Sequence, residues 1–368
     1  MRTMHSTLLV GPADWDAARM PRAAFEARIA ALWQGGAYGA IVYGDAADHG
    51  ALAYLTNFTP KLEAALAFVP LAGVPTLLVG GGVNMIAAAR PLTWVQDLRP
   101  LREAGKAAAD WARALPQGSR VLLIGGDAMP FAMRRALDAA LSGVCAMEDG
   151  ADALRAQMLR KGEREISAIR GSCTILAKAV AAFRRAHASG AGITDAVLVA
   201  EHLAQQEGAQ DVRSLFSQDG GRTLRPFDVP VRAQADPLQA YIAVRYAGYW
   251  VEGFVRAARK GDPLGDAAKA LLRGMVAAAN PGASCRALAE AAASNTPHPL
   301  TASVIGNGIG LSLEEAPLLS TARAATLMAD AVYSLRGGVL EDEGAIASAM
   351  VRVTDAGNEV LWSSGDRE

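Results

Sequence analysis

Cysteine and net charge are both scarce in this chain, and each scarcity argues against a class of protein. The three cysteines, Cys145, Cys173 and Cys285, are widely spaced and form no Cys-x-x-Cys pair. This spacing argues against a disulfide framework and a thiolate zinc site, so we interpret them as buried apolar residues in a reducing compartment. The 36 basic and 37 acidic residues give a net charge of -1. Because nucleic-acid-binding proteins usually carry a basic excess, we expect neither DNA nor RNA as a partner.

Long apolar runs are also lacking. No sustained apolar segment precedes Asp14, and no later stretch reaches transmembrane length without a charge, a glycine or a proline. We therefore expect no membrane partner and a soluble protein located in the cytoplasm.

Apolar residues as a group are abundant, at 51% of the 368 residues, and a chain of this length is predicted to form two domains. In its first part, segments with helical spacing of apolar residues alternate with short apolar runs, which is typical of an α/β layer structure. The predicted helices cover residues 22–34 and 104–115, and the predicted strands cover residues 39–43, 65–69, 75–79 and 120–124.

A domain boundary is predicted after residue 152, where Gly150 and several charged residues precede a long helical pattern. Apolar residues recur at helical intervals from Ile166 to Leu176, so this helix has one apolar face. The predicted domains are residues 1–152 and residues 153–368.

A glycine-rich run in the second domain contains the most informative motif. Residues 306–317 read GNGIGLSLEEAP. This segment resembles the Gly-His-Gly-Ile-Gly-Leu-x-Leu-His-Glu-x-Pro signature of the creatinase/aminopeptidase P/prolidase ("pita-bread") family, with Asn307 and Glu314 in place of the two histidines. In that family the first histidine binds a dinuclear metal centre and the second acts beside it. The resemblance thus implies a known fold without its usual metal chemistry.

Three further segments resemble the same family in the same order along the chain. Residues 51–60 resemble a Tyr-Leu-Thr-Gly-Phe segment, residues 160–170 resemble the opening of the catalytic domain, and residues 280–282 resemble an Arg-Pro-Gly turn. The resemblance implies an α/β creatinase-like N-terminal domain followed by an α+β pita-bread C-terminal domain. It also implies a homodimer in which N-terminal residues, here Lys61 and Glu63, approach the partner's pocket; solvated charge on a hairpin is the alternative for these two residues.

The residues that bind metal in the family are replaced here. Family members hold two divalent cations with two aspartates, one histidine and two glutamates. The positions that match those ligands in this sequence hold Tyr241, Glu252 (or Gly253, if the alignment slips by one residue), Asn307, Arg336 and Ser348. A further catalytic histidine of the family falls in a loop that reads Arg-Pro-Phe at residues 225–227, which brings Phe227 to that place.

These replacements predict a protein that binds no metal and no other cofactor. A phenol, an amide, a guanidinium and a hydroxyl cannot replace carboxylates around two cations, and the permanent charge of Arg336 repels a metal. Arg336 either holds Glu252 and Glu315 in a structural ion pair or captures the carboxylate of a ligand. A misaligned metallopeptidase is a third interpretation, and it would need other residues to gather around metal. Those residues are Asp219, Asp236, Asp262, His298, Glu341 and Asp342.

The leading hypothesis is a metal-independent enzyme that hydrolyses or eliminates at a carbon–nitrogen bond of a small polar molecule, with a carboxylate-bearing molecule as one possibility. The resemblance supports chemistry without metal, because creatinase itself cleaves a carbon–nitrogen bond that way. Candidate proton-transfer groups are Glu252, Glu314 and Glu315, with Tyr241 as a hydrogen-bonding partner. Candidate substrate-binding residues are Arg336, Asn307, Phe227, Ser348, Lys61 and His298.

The alternative hypothesis is a non-catalytic pita-bread protein that binds a ligand or another protein. Loss of all the metal ligands is what relaxed catalytic demand would produce. The replacements are mostly polar, however, and buried polar groups without partners cost about 1–3 kcal/mol each. Their polarity favours a working pocket.

Overall fold

The computed structural model describes residues 22–365, apart from residues 34, 35, 62 and 302. The segment before Asp14, on which the expected lack of an apolar leader rests, lies outside the described residues. The chain divides between Met158 and Leu159 into two compact units. The predicted boundary at residue 152 falls inside a helix, Ala151–Leu159, that runs up to this division.

Unit 1 is built on a mixed six-stranded sheet. Its strands in chain order are β1 (Gly39–Gly44), β2 (Ala65–Pro70), β3 (Thr76–Val79), β4 (Asp97–Pro100), β5 (Ser119–Ile124) and β6 (Cys145–Asp149). They lie in the order β4-β3-β2-β1-β5-β6. Strand β1 is buried along its whole length, as its apolar run predicted, and pairs antiparallel with β2 and parallel with β5.

The helices of unit 1 interleave with these strands, which gives the α/β character that the sequence predicted. They are α1 (Arg22–Leu32), α2 (Gly50–Thr56), α3 (Val83–Ala89), α4 (Ala104–Ala112), α5 (Phe131–Leu141) and α6 (Ala151–Leu159). Helix α4 is amphipathic and packs Ala104, Ala107 and Ala108 into a core with Phe68 and Leu137.

Unit 2 contains two antiparallel sheets. The three-stranded sheet is formed by β7 (Asp211–Phe216), β8 (Leu238–Tyr246) and β9 (Tyr249–Ala257). The five-stranded sheet is formed by β10 (Val304–Gly308), β11 (Glu315–Ser320), β12 (Val332–Leu340), β13 (Gly344–Thr354) and β14 (Gly357–Ser363), in the order β11-β10-β12-β13-β14.

Four helices cover these sheets: α7 (Glu163–Ala188), α8 (Ile193–Gln206), α9 (Pro263–Ala278) and α10 (Cys285–Ala293). Helix α7 packs on β8 and β9, and α9 packs on β12 and β13. By length and composition alone, α7 is apolar enough to cross a membrane, but 56% of its most apolar window is buried inside the protein. Such burial is typical of a core helix in a folded domain.

The buried side chain of Gln239, on β8, is one of the links between the two sheets of unit 2. The amide nitrogen of Gln239, Nε2, donates to the carbonyl oxygens of Val255 (2.9 Å) and Ile346 (3.2 Å). Its Oε1 accepts from the backbone N–H of Ile346 at 3.0 Å. The Gln239 amide therefore bonds both the N–H and the C=O of Ile346 on β13, as the backbone of a neighbouring strand would do.

We expect Gln239→Leu to lower the free energy of unfolding by about 1–3 kcal/mol, because it leaves buried backbone groups of Ile346 without partners. Urea denaturation measures this change. Gln234→Leu is the control, because Gln234 is exposed and its side chain donates only to the Gly190 carbonyl. Equal stability of the two variants would show that the Gln239 contacts do not hold the sheets together.

Candidate functional site

The hairpin of β8 and β9 sets the orientation of the first two candidate residues. Its two-residue turn, Ala247 and Gly248, has φ values of 51° and 84°, the left-handed geometry of a type I′ turn. In the resulting register Tyr241 lies opposite Phe254, and Ala243 lies opposite Glu252. Directly opposed residues share a face of the sheet, so the Tyr241 and Glu252 side chains lie on one side.

This register decides between Glu252 and Gly253 as the residue that faces Tyr241. The Tyr241 hydroxyl donates a hydrogen bond of 2.8 Å to Oε2 of Glu252. Gly253 points to the other face, where a Cβ atom would lie only 2.5 Å from the indole ring of Trp362. Glu252 is therefore the one of these two residues whose side chain contacts Tyr241.

Arg336 of β12 joins this pair to the glycine-rich segment. Its Nη2 donates to Oε1 of Glu252 at 2.5 Å and also to Oδ1 of Asn307 on β10. The Asn307 amide nitrogen donates to the carbonyl oxygens of Gly308 (2.7 Å) and Leu313 (3.3 Å), which directs its oxygen toward Arg336. The structure thus brings together four of the predicted residues, Tyr241, Glu252, Asn307 and Arg336, which we call the arginine cluster.

Phe254 and Ser348 support this cluster from its edges. The guanidinium of Arg336 lies 5.1 Å from the centroid of the Phe254 ring, and the Tyr241 ring lies 4.8 Å from the same ring. Ser348 is opposite Arg336 on β13, and its hydroxyl oxygen accepts a 2.8 Å hydrogen bond from the backbone N–H of Phe254. Ser348 therefore positions Phe254, on which the cation of Arg336 rests.

Burial keeps the Tyr241 hydroxyl protonated. Burial, followed by the neighbouring charge of Glu252, raises the pKa of Tyr241 above its ordinary value, so its phenol stays protonated and donates. The Glu252 side chain is only 2% exposed, and each of its oxygens accepts from a donor. The Arg336 side chain is 21% exposed, and its buried Nε has no partner among the described residues. The cluster therefore combines a fixed anion with a cation that ligands can reach.

The arginine cluster does not fit the divalent metal pair that the fold resemblance implies. Two cations need several carboxylate oxygens, and the cluster has one carboxylate, Glu252, whose two oxygens already accept from Arg336 and Tyr241. The guanidinium of Arg336 adds a permanent positive charge, which repels a metal cation. Across the described part of the chain, no group of three His, Cys, Asp or Glu side chains is arranged to hold a metal ion.

Glu315 belongs to a separate buried ion pair. Lys161 donates to its Oε2 at 2.7 Å, and the two side chains are 2% and 6% exposed. The backbone N–H of Ser312 donates to Oε1 at 3.2 Å. One interpretation of Arg336 was an ion pair with both Glu252 and Glu315. The ion-pair partner of Glu315 is instead Lys161.

The remaining candidates lie in other surroundings. Glu314 is exposed, and it follows Leu313, whose carbonyl oxygen accepts from Asn307. The Phe227 ring lies 5.0 Å from the Phe216 ring, and His298 contacts Glu341 at 2.7 Å through Nδ1. Lys61 is half-buried in unit 1. These contacts assign no functional role to Phe227, His298 or Lys61.

The sequence-based prediction missed two basic residues of unit 2, Lys161 and Arg213. Lys161 lies in the segment that resembles the domain opening, and nothing local indicates that it pairs with Glu315. Arg213 lies on β7 in register with Ala243, which in turn lies opposite Glu252. The alternation of polar residues along β7 and β8 is the signal that indicates its face.

Comparison with known proteins identifies the class of fold. The described architecture matches solved structures of the creatinase/aminopeptidase P/prolidase class, which confirms the predicted α/β N-terminal and α+β pita-bread C-terminal organisation. No protein-family model matches the chain. No curated protein sequence matches it either.

The similar structures are peptidases with low sequence identity to this chain. An X-Pro aminopeptidase from Thermotoga maritima is 16% identical, with a TM-score of 0.76 over 92% of this chain and 97% of that one. A prolidase from Thermococcus sibiricus is 17% identical, with a TM-score of 0.75 over 94% and 97%. The dipeptidase PepE from Mycobacterium ulcerans is 18% identical, with a TM-score of 0.73 over 95% and 98%. At such identities the likeness establishes the fold alone.

We expect Lys161→Met to lower the free energy of unfolding by about 3–5 kcal/mol, because the variant leaves Glu315 buried and charged without its partner. Urea denaturation of the single variant and of Lys161→Met with Glu315→Gln measures the coupling. The double variant, which buries no charge at this place, should recover most of the loss. Equal stabilities of the single and double variants would contradict a coupled pair.

Proposed function

We propose that this protein is a metal-independent enzyme that acts at a carbon–nitrogen bond of a small polar molecule bearing a negative charge. The observation that carries the proposal is Arg336. The sequence resemblance aligns Arg336 with a metal ligand of the family; its guanidinium contacts Glu252 and Asn307, and its side chain is still 21% exposed. A fixed and accessible cation of this kind binds an anionic group or stabilises negative charge that develops in a reaction.

Glu314 is the proton-transfer group in this proposal. The oxygens of Glu252 and Glu315 already accept hydrogen bonds from neighbouring donors. Glu314 is exposed and forms no ion pair with any residue that the structure describes. It stands in the motif where the family has its second histidine, directly after the Leu313 carbonyl that Asn307 contacts.

The roles follow from these positions. In a hydrolysis, the Glu314 carboxylate takes a proton from the attacking water and returns it to the leaving nitrogen as the carbon–nitrogen bond breaks. In an elimination, the same carboxylate takes the proton from the adjacent carbon. Arg336 and the neutral hydroxyl of Tyr241 are the donors available to developing negative charge.

A non-catalytic ligand-binding module is the second candidate function. It is favoured by the contacts of Glu252, because a carboxylate paired with a cation is a weaker base. Both candidates require that Arg336 binds a ligand, and only the enzyme requires Glu314 for turnover. This difference separates them by experiment.

The fold resemblance also implies a homodimer in which Lys61 of unit 1 approaches the pocket of the partner subunit. This remains a prediction, which light scattering of the purified protein checks first. A monomer under all conditions would leave Lys61 without that role.

We expect a small carboxylate, amide or guanidino compound to raise the melting temperature of the protein by a few degrees, and divalent metals to have no such effect. The ligand effect should be lost in the double variant Arg336→Gln with Glu252→Gln. This pair of changes removes the cation without leaving the 2% exposed Glu252 carboxylate unpaired. Stabilisation of the parent by stoichiometric metal would overturn the metal-independent proposal.

We expect Glu314→Gln to lower kcat for the stabilising compound by at least about 100-fold, since general acid–base groups contribute about 10² to 10⁴. Ligand affinity should change little, and added chelator should not change the parent rate. Asp355→Asn, in an exposed turn, is the control for loss of one surface carboxylate. Binding without turnover in the parent would establish the binding module instead of the enzyme.

A further inference from the structure

A cavity of about 600 Å³ opens in unit 2 between the end of helix α7 and the first half of helix α9. The end of β9, the loop that follows it, and the residues Ser364 and Gly365 complete its wall. Its volume falls in the range of small-molecule sites, about 300–1,000 Å³. None of the four residues of the arginine cluster borders it, so it is a second cavity with its own chemistry.

Basic side chains predominate in the lining of this space, which we call the basic cavity. Its lining includes two carboxylates, Asp262 and Asp266, and five cationic side chains. The cationic residues are Arg184, Arg256, Lys260, Lys269 and Arg273. His187 also borders the cavity and adds a charge only when it is protonated.

Two of the arginines are held by the wall of the basic cavity. The guanidinium of Arg256 contacts Asp262 at 2.9 Å and Glu343 at 2.8 Å, and its side chain is only 3% exposed. Arg184 donates to the carbonyl oxygen of Ser364 at 2.8 Å. These contacts fix both arginines as parts of the wall, so the other three basic residues are the ones that can turn to a ligand.

Lys260, Lys269 and Arg273 face the basic cavity with little competition from carboxylates. Lys269 and Arg273 are four residues apart on α9 and therefore lie on one face of that helix. Lys269 lies 3.2 Å from Asp266, whose side chain is 72% exposed, and such a surface pair is weak. Lys260 and Arg273 are exposed and form no hydrogen bond or ion pair with any residue that the structure describes.

The described charges around the basic cavity leave a positive excess of two. Behind the lining, Oδ1 of Asp236 accepts from the backbone N–H of Arg259 at 2.9 Å and lies 3.6 Å from His187. With Arg259, Asp236 and Glu343 included and His187 neutral, six basic side chains stand against four carboxylates. A ligand with two negative charges therefore balances this part of unit 2.

We propose that the basic cavity binds a small phosphomonoester, with its phosphate held by Arg273, Lys269 and Lys260. This inference goes beyond the proposed function, because it concerns a separate cavity. A phosphate ester carries a charge of about −1.5 to −2 at neutral pH, which matches the excess. A guanidinium binds two phosphate oxygens at once, and lysines add point charges. Asp262 already accepts from the backbone N–H of Gly265 at the start of α9, so the attraction comes from side chains and not from the helix N-terminus.

Titration calorimetry at neutral pH and fixed ionic strength tests this inference with glycerophosphate, inorganic phosphate and glycerol. We expect glycerophosphate to bind the parent more tightly than inorganic phosphate does, because the cavity also accommodates the organic part. Glycerol alone should not bind. Arg273→Gln should weaken glycerophosphate binding by at least about tenfold, since a hydrogen bond to a charged group contributes at least that factor. Arg273→Lys, which keeps the charge without the fork, should retain part of the affinity.

Arg323→Gln is the matched control, because Arg323 is an exposed arginine in a turn and does not border the basic cavity. This variant and the Arg336→Gln, Glu252→Gln double variant should bind glycerophosphate as the parent does. If the double variant alone loses binding, the phosphate binds at the arginine cluster and the inference is wrong.

Two other results would also overturn the inference and leave the proposed function standing. One is a parent that binds no phosphate probe, or that binds unchanged after both Arg273→Gln and Lys260→Gln. The other is inorganic phosphate that binds as tightly as glycerophosphate, which would show that the cavity does not recognise an ester.

Discussion

The ion pair between Arg336 and Glu252 is the interaction on which the centre of unit 2 depends. It links a residue of the three-stranded sheet to a residue of the five-stranded sheet across a contact of 2.5 Å. Taking both charges out of water is costly, and the cost is offset only where other groups complete the hydrogen bonding. Tyr241 does so for the carboxylate and Asn307 does so for the guanidinium. The four side chains therefore depend on one another for their orientation.

The arginine cluster holds one buried carboxylate with an organic cation. The guanidinium of Arg336 contacts Glu252, which is the only carboxylate of the cluster. The Lys161–Glu315 pair shows the same arrangement at a second place in unit 2, with both side chains almost fully buried. In both the Arg336–Glu252 and the Lys161–Glu315 pair, a basic side chain supplies the positive charge that balances the buried carboxylate.

Much of the fold could be predicted from the sequence, because it is encoded in local patterns and in motifs that recur in order. The run of residues 306–317 identified the second domain, and the apolar runs identified β1, β2, β3 and β5. The choice between Glu252 and Gly253 needed the hairpin register, which follows from the left-handed turn at Ala247 and Gly248.

The partners in the site could not be predicted in the same way. Lys161 and Glu315 are 154 residues apart in the chain, and only the folded structure brings them into contact. Arg213 is an exposed arginine between ordinary strand residues, and only the folded structure brings its guanidinium over the Trp250 ring. Which charged residues form pairs depends on the three-dimensional structure, so the sequence shows which charged residues are present but not how they pair.

The occupied state of Glu252 also limits the chemistry that this site supports. Glu252 accepts a hydrogen bond from Tyr241 and one from the cation of Arg336, and a neighbouring cation makes a carboxylate a weaker base. If the site is catalytic, proton transfer therefore falls to a group outside the arginine cluster, and the cluster supplies binding and electrostatic stabilisation. The exposed Glu314 is adjacent to the Leu313 carbonyl that Asn307 contacts, which places an unpaired carboxylate in the chain beside that cluster. The two carboxylates therefore differ in their surroundings: Glu252 is paired with Arg336, which weakens it as a base, and the exposed Glu314 forms no ion pair with the described residues.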